Sequence, residues 1–122
     1  MKYEIFVSDK NNYLNIKVLE TVTDDLLKDF IEATAKKSHE NKINKFLFNL
    51  QSAPDGASTV VHYDFVYEKS KKLGFKAGSK HALLVSLEDR HVYHFVETLL
   101  LNAGYQSKIF TREKEAIEWL EK

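Results

Sequence analysis

The chain has 122 residues, the length of one domain, and contains no cysteine, which excludes disulfides, thiolate chemistry and cysteine-rich zinc sites. Its 18 basic and 18 acidic residues cancel, so no overall field draws the chain to nucleic acid or to an anionic membrane. The N-terminus does not resemble a signal peptide, and no apolar run approaches the roughly 20 residues that span a bilayer. The sequence therefore predicts a single cytoplasmic domain over residues 1–122, with no nucleic-acid partner and no integral membrane association.

The first two elements are predicted to be the strands of a hairpin. Residues 3–7 have the composition of a strand, and the polar residues 9–12 form a turn cluster. In residues 13–18 every second position, from Leu14 to Val18, is apolar. Strict alternation is typical of a strand with one covered face, so these two segments are expected to pair antiparallel.

Helices and buried strands alternate along the rest of the chain. Thr23 is followed by two aspartates, which is a favourable start for a helix. The nearly continuous apolar runs at residues 46–50 and 81–86 indicate strands covered on both faces, and residues 107–110 form a short last strand. Strands separated by helices run parallel and connect through right-handed crossovers. The prediction is an α/β fold of order ββαβαβαβα, with a mixed five-stranded sheet whose antiparallel edge is the hairpin.

This order of elements and the C-terminal segment GYQSKIFTREKEAIEWL, residues 104–120, together resemble the SpoIIAA-like (STAS/SEC14-type) family. Members tend to end in a phenylalanine, a short capped turn, and a helix with an alanine and a Trp-Leu pair. Phe110, Ala116, Trp119 and Leu120 stand at those places. The resemblance covers essentially the whole chain. It implies a sheet with packed helices, usually without an enzyme activity, in a family that includes anti-sigma-factor antagonists and domains similar to lipid-binding proteins.

The loop after residues 46–50 is rich in small and hydrogen-bonding side chains. In the phospho-regulated antagonists, a serine that follows an aspartate at the start of the second crossover helix switches partner binding when it is phosphorylated. The resemblance therefore implies a regulatory loop made of Ser52, Asp55, Ser58 and Thr59. A phosphate at a helix N-terminus would meet free backbone amides and a favourable dipole.

The same loop also has a purely structural interpretation. Residues 53–56 would form a β-turn in which Pro54 sets φ and Gly56 adopts the unusual dihedral angles. Ser58 would then be the N-cap of the following helix, which is predicted to run from about Ser58 to Leu73 and to end at Gly74.

That helix carries apolar residues on two sides. At about 100° per residue, one cluster is assigned to the core face; it consists of Thr59, Val60, Tyr63, Val66, Tyr67, Ser70 and Leu73. Val61, Phe65 and Lys72 lie nearly opposite, with Glu68 beside them. We interpret this outer side as an interaction face for a protein partner or a second subunit, the alternative being scattered surface apolar residues.

Aromatic side chains suggest a second function. Tyr63 and Tyr67 are assigned to the buried side of their helix, and Phe95 belongs to the next helix. Since some relatives resemble lipid-transfer domains, these three residues are predicted to line an apolar pocket between the helices and the sheet, where a small apolar molecule would bind. The same large side chains could equally fill the space.

A metal centre is not expected. His91, His94 and Glu97 follow one another at steps of three residues, so their directions diverge by about 60° per step around the helix. Helices that bind zinc prefer histidines four residues apart. We predict neither a metal nor a cofactor.

Catalysis is also disfavoured. Ser58, His62 and Asp64 have the residue types of a hydrolytic triad, but Asp64 could not easily orient the histidine, and no Gly-x-Ser-x-Gly elbow occurs. The sequence favours a non-enzymatic regulatory or protein-interaction module. The alternative is a small lipophilic-ligand-binding domain with a pocket between helices and sheet.

Overall fold

A computed structural model describes residues 2–122 as an α/β fold with one five-stranded sheet of order β1-β2-β3-β4-β5. The strands are β1 (Tyr3–Val7), β2 (Leu14–Val18), β3 (Lys45–Leu50), β4 (Lys80–Val85) and β5 (Gln106–Phe110). The helices are α1 (Asp24–Asn41), α2 (residues 59–72), α3 (Arg90–Asn102) and α4 (Glu113–Glu121). Only β1 and β2 pair antiparallel, and the other neighbours are parallel. The predicted order ββαβαβαβα and the mixed sheet with its antiparallel hairpin are confirmed.

The helices are divided unequally between the two faces of the sheet. Each βαβ connection leads from one strand to its neighbour, always in the same direction across the sheet. Because such connections are right-handed, α1, α2 and α3 lie on the same face. Phe46 and Phe48 of β3 face that layer, while Leu47 packs on the other face with Ala116 and Leu120 of α4. The two-sided cover explains why β3 and β4 read as continuous apolar runs.

Helix α2 is continuous but irregular. Thr59–Asp64 and Ser70–Lys72 are α-helical, whereas Phe65–Lys69 forms a π-helical turn. Gly74, with φ of 88°, follows the helix as predicted. A π turn widens the helix and therefore changes which side chains point inward.

The core face predicted for α2 is right for Val66 and Ser70, which are buried, and wrong for other positions. Phe65 is only 6 % exposed and belongs to the core, whereas Tyr63 is 47 % exposed and Val60 75 %. His62, a polar residue that is absent from the predicted core face, is buried on the core side. When His62 is counted among the core residues, the core face of α2 rotates about the helix axis by roughly a quarter of a turn.

The outer side of α2 is consequently not the predicted interaction face. Val61 is half-buried against the core, and Phe65 lies within it. Glu68 and Lys72 are exposed. These four residues therefore do not form one accessible apolar surface.

The loop before α2 also differs from the predicted turn. Val22 N donates to Pro54 O at 2.9 Å, and Gly56 N donates to Val22 O at 2.7 Å, so residues 54–56 form a short parallel bridge. Gly56 has no positive φ; it is required because a Cβ there would lie 3.0 Å from the Thr21 Cγ2 atom and 3.1 Å from Val22 O. The turn comes earlier, where Ala53 N donates to Leu50 O at 3.1 Å.

Candidate functional site

Side chains from neighbouring elements fix the loop that leads into α2. Asp24, in the first turn of α1, accepts a hydrogen bond from Ser58 N at 2.8 Å. Tyr93 of α3 donates its hydroxyl to Ala53 O at 2.6 Å. Together with the bridge to Val22, these bonds hold the start of α2 in place from three sides.

A buried pair, Asp55 and His62, lies at the centre of this loop. His62 Nε2 is 3.0 Å and 2.9 Å from the two carboxylate oxygens of Asp55, and both side chains are 6 % exposed. Asp55 Oδ1 also accepts from Ala57 N at 3.1 Å. Burial, followed by the charges of Asp55 and Asp89, raises the pKa of Tyr93 well above its usual value, so this phenol remains a proton donor.

Asp64 does not orient His62, as the sequence analysis expected, because His62 bonds to Asp55. Asp64 forms an ion pair with Lys69 at 3.1 Å on the surface. Ser58 Oγ accepts from Val61 N at 3.2 Å, which confirms its prediction as an N-cap. The pair missed by the sequence had one available signal, since His62 stands three and four residues before the buried Phe65 and Val66.

The four residues of the predicted regulatory loop divide into two groups. Ser52, Ser58 and Thr59 are exposed, and the last two stand together at the start of α2. The side chain of Asp55 points inward to His62 and is not accessible. A phosphate group on Ser58 would lie beside the carboxylate of Asp24, which already occupies the neighbouring amide.

Tyr63, Tyr67 and Phe95 do meet, but at the surface and not in a pocket under α2. The ring of Tyr63 is stacked on that of Tyr67 at 5.6 Å and stands edge-on to that of Phe95 at 5.8 Å between centroids. Val60 and Val92, both exposed, lie one helical turn before Tyr63 and Phe95. We call these five residues the α2–α3 patch.

A cavity lies elsewhere, between the sheet and the layer formed by α1, α2 and α3. Its volume is about 80 Å³. The lining is almost entirely apolar and includes Phe30, Phe48, Phe65, Val66 and Leu100. None of the three residues predicted for the pocket lines it. The π turn of α2 forms part of its roof.

The polar groups around this cavity bond to one another. Ser70 Oγ lies 2.7 Å from Tyr105 Oη and donates to Val66 O at 2.7 Å. His81 bonds through Nε2 to Ser79 Oγ at 2.9 Å. Burial lowers the pKa of His81 to about 3, so the imidazole is neutral at physiological pH. The cavity therefore offers an almost entirely apolar surface.

The three residues considered for a metal do not converge. Glu97 accepts from Ile109 N of β5 at 2.7 Å, and its other oxygen lies 3.0 Å from His94 Nδ1. His91 stands apart from both bonds. Within residues 2–122 no group of three His, Cys, Asp or Glu side chains could hold a metal ion. In the same part of the chain, no helix combines the length and apolar character needed to cross a membrane.

No protein-family model and no curated protein sequence matches the chain. Among solved structures, it is similar to an uncharacterised DUF3478-family protein with a SpoIIAA-like fold from Shewanella loihica PV-4, with a TM-score of 0.59 and 20% identity over 97% of this chain and 91% of the other. It is also similar to the anti-sigma factor antagonist SpoIIAA in its unphosphorylated form, with a TM-score of 0.57 and 15% identity over 98% and 97% of the two chains. Both likenesses concern the path of the backbone. The chain therefore has a SpoIIAA-like fold.

Proposed function

We propose that this protein acts by binding a protein partner through the α2–α3 patch, without catalysing a reaction. The observation that carries the proposal is that Val60, Tyr63 and Val92 are exposed on two helices that meet where Tyr63 contacts Phe95. Contiguous exposed apolar surface on a small domain commonly marks an interaction site. The similarity in fold to an anti-sigma factor antagonist supports the same class of function.

The patch has the composition of an interface centre. Tyrosine and phenylalanine rings supply a large contact area, and a tyrosine hydroxyl can bond to a partner at the rim. The Asp64–Lys69 ion pair lies beside the patch and has no net charge. The partner expected here presents apolar side chains with few charges.

Ser58 is the proposed regulatory residue. It is exposed at the start of α2, two residues before Val60. A phosphate on its hydroxyl would gain from the helix dipole but would be repelled by Asp24, whose carboxylate bonds to Ser58 N. Phosphorylation is therefore expected to release the loop from α1 and to alter the edge of the patch.

The test compares Tyr63→Asp with Leu101→Asp as baits in a lysate of the source organism. Leu101 is exposed on the opposite side of α3, so it controls for the introduced charge. A specific partner should be recovered by the wild-type chain and by Leu101→Asp and lost with Tyr63→Asp. Equal recovery by all three baits would contradict the proposal.

The regulatory part is tested with the same partner. Ser58→Asp should weaken partner binding, whereas Ser58→Asn, which preserves the cap without a charge, should bind like the wild type. Equal binding by both variants would remove Ser58 from the proposal without affecting the patch.

The cavity supports a second proposed function, the binding of a small apolar molecule. Its volume, about 80 Å³, is below the roughly 150 Å³ of an apolar cavity that accommodates benzene. Only a very small molecule enters without movement of α2, and a longer chain would require the π turn to shift outward.

Xenon is a suitable probe for this second function. Under xenon pressure, methyl NMR signals of Val66 and Leu83 should shift, and the shifts should disappear in Val96→Phe, which fills the cavity from α3. Ile117→Phe, on the other side of the sheet, is the control. Unshifted signals in the wild-type protein would rule out an accessible cavity.

A further inference from the structure

A second cleft lies at the opposite end of the sheet from the regulatory loop, where β3, β4 and β5 begin. It has a volume of about 450 Å³ and is formed by four separate segments of the chain. Its lining includes four lysines, Lys42, Lys45, Lys76 and Lys80, and no carboxylate. Four of the 18 basic residues of a neutral chain are therefore gathered in one concave site.

These ammonium groups lack acidic partners. No ion pair within residues 2–122 includes any of the four lysines. The acid at the rim is Glu121, which accepts from Asn12 Nδ2 at 3.0 Å and lies 3.9 Å from Lys10. Burial, followed by the charges of Lys45 and Lys122, lowers the pKa of Lys80. Lys80 Nζ donates to the carbonyl oxygen of Trp119 at 3.0 Å. Within residues 2–122, the other three lysines form no ion pair with an acidic group.

The backbone of the cleft adds an independent observation. Lys42 is the C-cap of α1 with φ of 55° and ψ of 43°, a left-handed conformation that glycine or asparagine usually adopts. Asn11 and Gly78, which also line the cleft, have φ of 55° and 78°. A helix C-terminus favours a cation nearby, but this does not require a lysine in a strained conformation. A residue such as Lys42, held in this conformation without being glycine or asparagine, is often found at a binding site.

We propose that this cleft binds a small anion that carries two or more phosphate or carboxylate groups. Its size lies within the range of small-molecule sites. Lysine ammonium groups bind phosphate and carboxylate as point charges, and the polar residues Asn11 and Asn44 line the same surface. A compact cleft on a chain of zero net charge fits a small anion better than a nucleic-acid backbone.

The proposal is tested by calorimetric titration with inorganic pyrophosphate and with citrate at low ionic strength. We expect saturable binding of at least one of them with one anion per chain, weakening as salt is added. Lys45→Gln should weaken this binding by about tenfold, since a charged hydrogen bond is lost. Lys71→Gln, on the exposed surface of α2, should leave it unchanged.

Lys42→Asn separates binding from folding. Asparagine tolerates the left-handed conformation and relieves repulsion among the lysines, so the melting temperature should rise by on the order of 3 °C. Affinity for the anion should fall by about tenfold in the same variant. If Lys42 had only a structural role, its replacement would not raise the melting temperature and lower the anion affinity together.

Several results would overturn the proposal. One is the absence of binding by both anions at low ionic strength. Another is an equal effect of Lys45→Gln and Lys71→Gln, which would indicate diffuse attraction to surface charge. Duplex DNA that binds at the lysines more tightly than either small anion would also contradict it.

Discussion

The residue with the largest influence on the site is His62, since its bond to Asp55 fixes both the loop and the rotation of α2. A buried carboxylate is costly unless it accepts hydrogen bonds, and His62 supplies one to Asp55. The sequence did not reveal the pair, because Asp55 reaches His62 across a loop whose path depends on Val22 and Tyr93. Spacing within a helix carries no information about such a partner.

Asp55→Ala should reduce the free energy of unfolding by about 3 kcal/mol, because it leaves His62 buried without its partner. Asp64→Ala, which removes only an exposed ion pair with Lys69, should cost less than about 1 kcal/mol. Chemical denaturation at pH 7 measures both. Similar small losses would show that the pair is unimportant for stability.

His81 should make the fold sensitive to acid. Its pKa is lowered from 6.5 to about 3 by burial, so the unfolded chain binds a proton below pH 6.5 that the folded chain does not bind until about pH 3. Stability from this group is complete above pH 6.5 and falls as the pH drops, by about 2 kcal/mol at pH 5.

The measurement compares urea denaturation at pH 7.5 and pH 5 in the wild-type protein, His81→Phe and His94→Gln. The loss at pH 5 should be about 2 kcal/mol smaller in His81→Phe than in the wild type. The His94→Gln variant, which changes an exposed side chain, should lose as much stability at pH 5 as the wild type. An unchanged pH dependence in His81→Phe would mean that His81 is protonated in the folded state.

At the scale of the element, the strands were predictable and the faces of α2 were not. The alternation in β2 and the apolar runs of β3 and β4 depend on which faces of each strand are buried. These strands can therefore be predicted from short stretches of sequence. The orientation of α2 depends on a π turn and on a contact with a distant residue. The exposed aromatic patch followed from this orientation and was therefore predicted in the wrong place.

Replacing Gly56 tests whether the loop must lie close to Thr21 and Val22, the residues before α1. Gly56→Ala would bring its Cβ to 3.0 Å from the Thr21 Cγ2 atom and 3.1 Å from Val22 O, so the bridge must shift by a few tenths of an ångström. We expect a loss of about 1–3 kcal/mol in the free energy of unfolding. Ala57→Gly, at the next position, is the comparison, and an equal or smaller effect at Gly56 would show that the bridge yields easily.

For the whole molecule, the sequence predicted the layers but not the concave sites. Right-handed crossovers between adjacent strands leave only one arrangement, with three helices on one face. The cavity depends on small differences in packing between three helices and the sheet. The lysine cleft joins segments that are up to 95 residues apart, from Asn11 to Gln106, and no local pattern connects them.

The contact between Glu97 and β5 also affects whether the edge of the sheet can pair with another molecule. Strand β5 is the last strand of the sheet, so its outer amides could pair with a strand of another molecule. The carboxylate of Glu97 occupies one of them, Ile109 N, at 2.7 Å. We expect this hydrogen bond to disfavour pairing of β5 with a strand of another molecule.

Glu97→Ala should therefore aggregate faster on heating than Glu97→Gln, which keeps an acceptor for Ile109 N, and light scattering at matched concentrations would detect the difference. Identical aggregation of the two variants would mean that this edge is protected in another way. Faster aggregation of Glu97→Ala would show that one carboxylate on α3 limits growth of the sheet at its β5 edge.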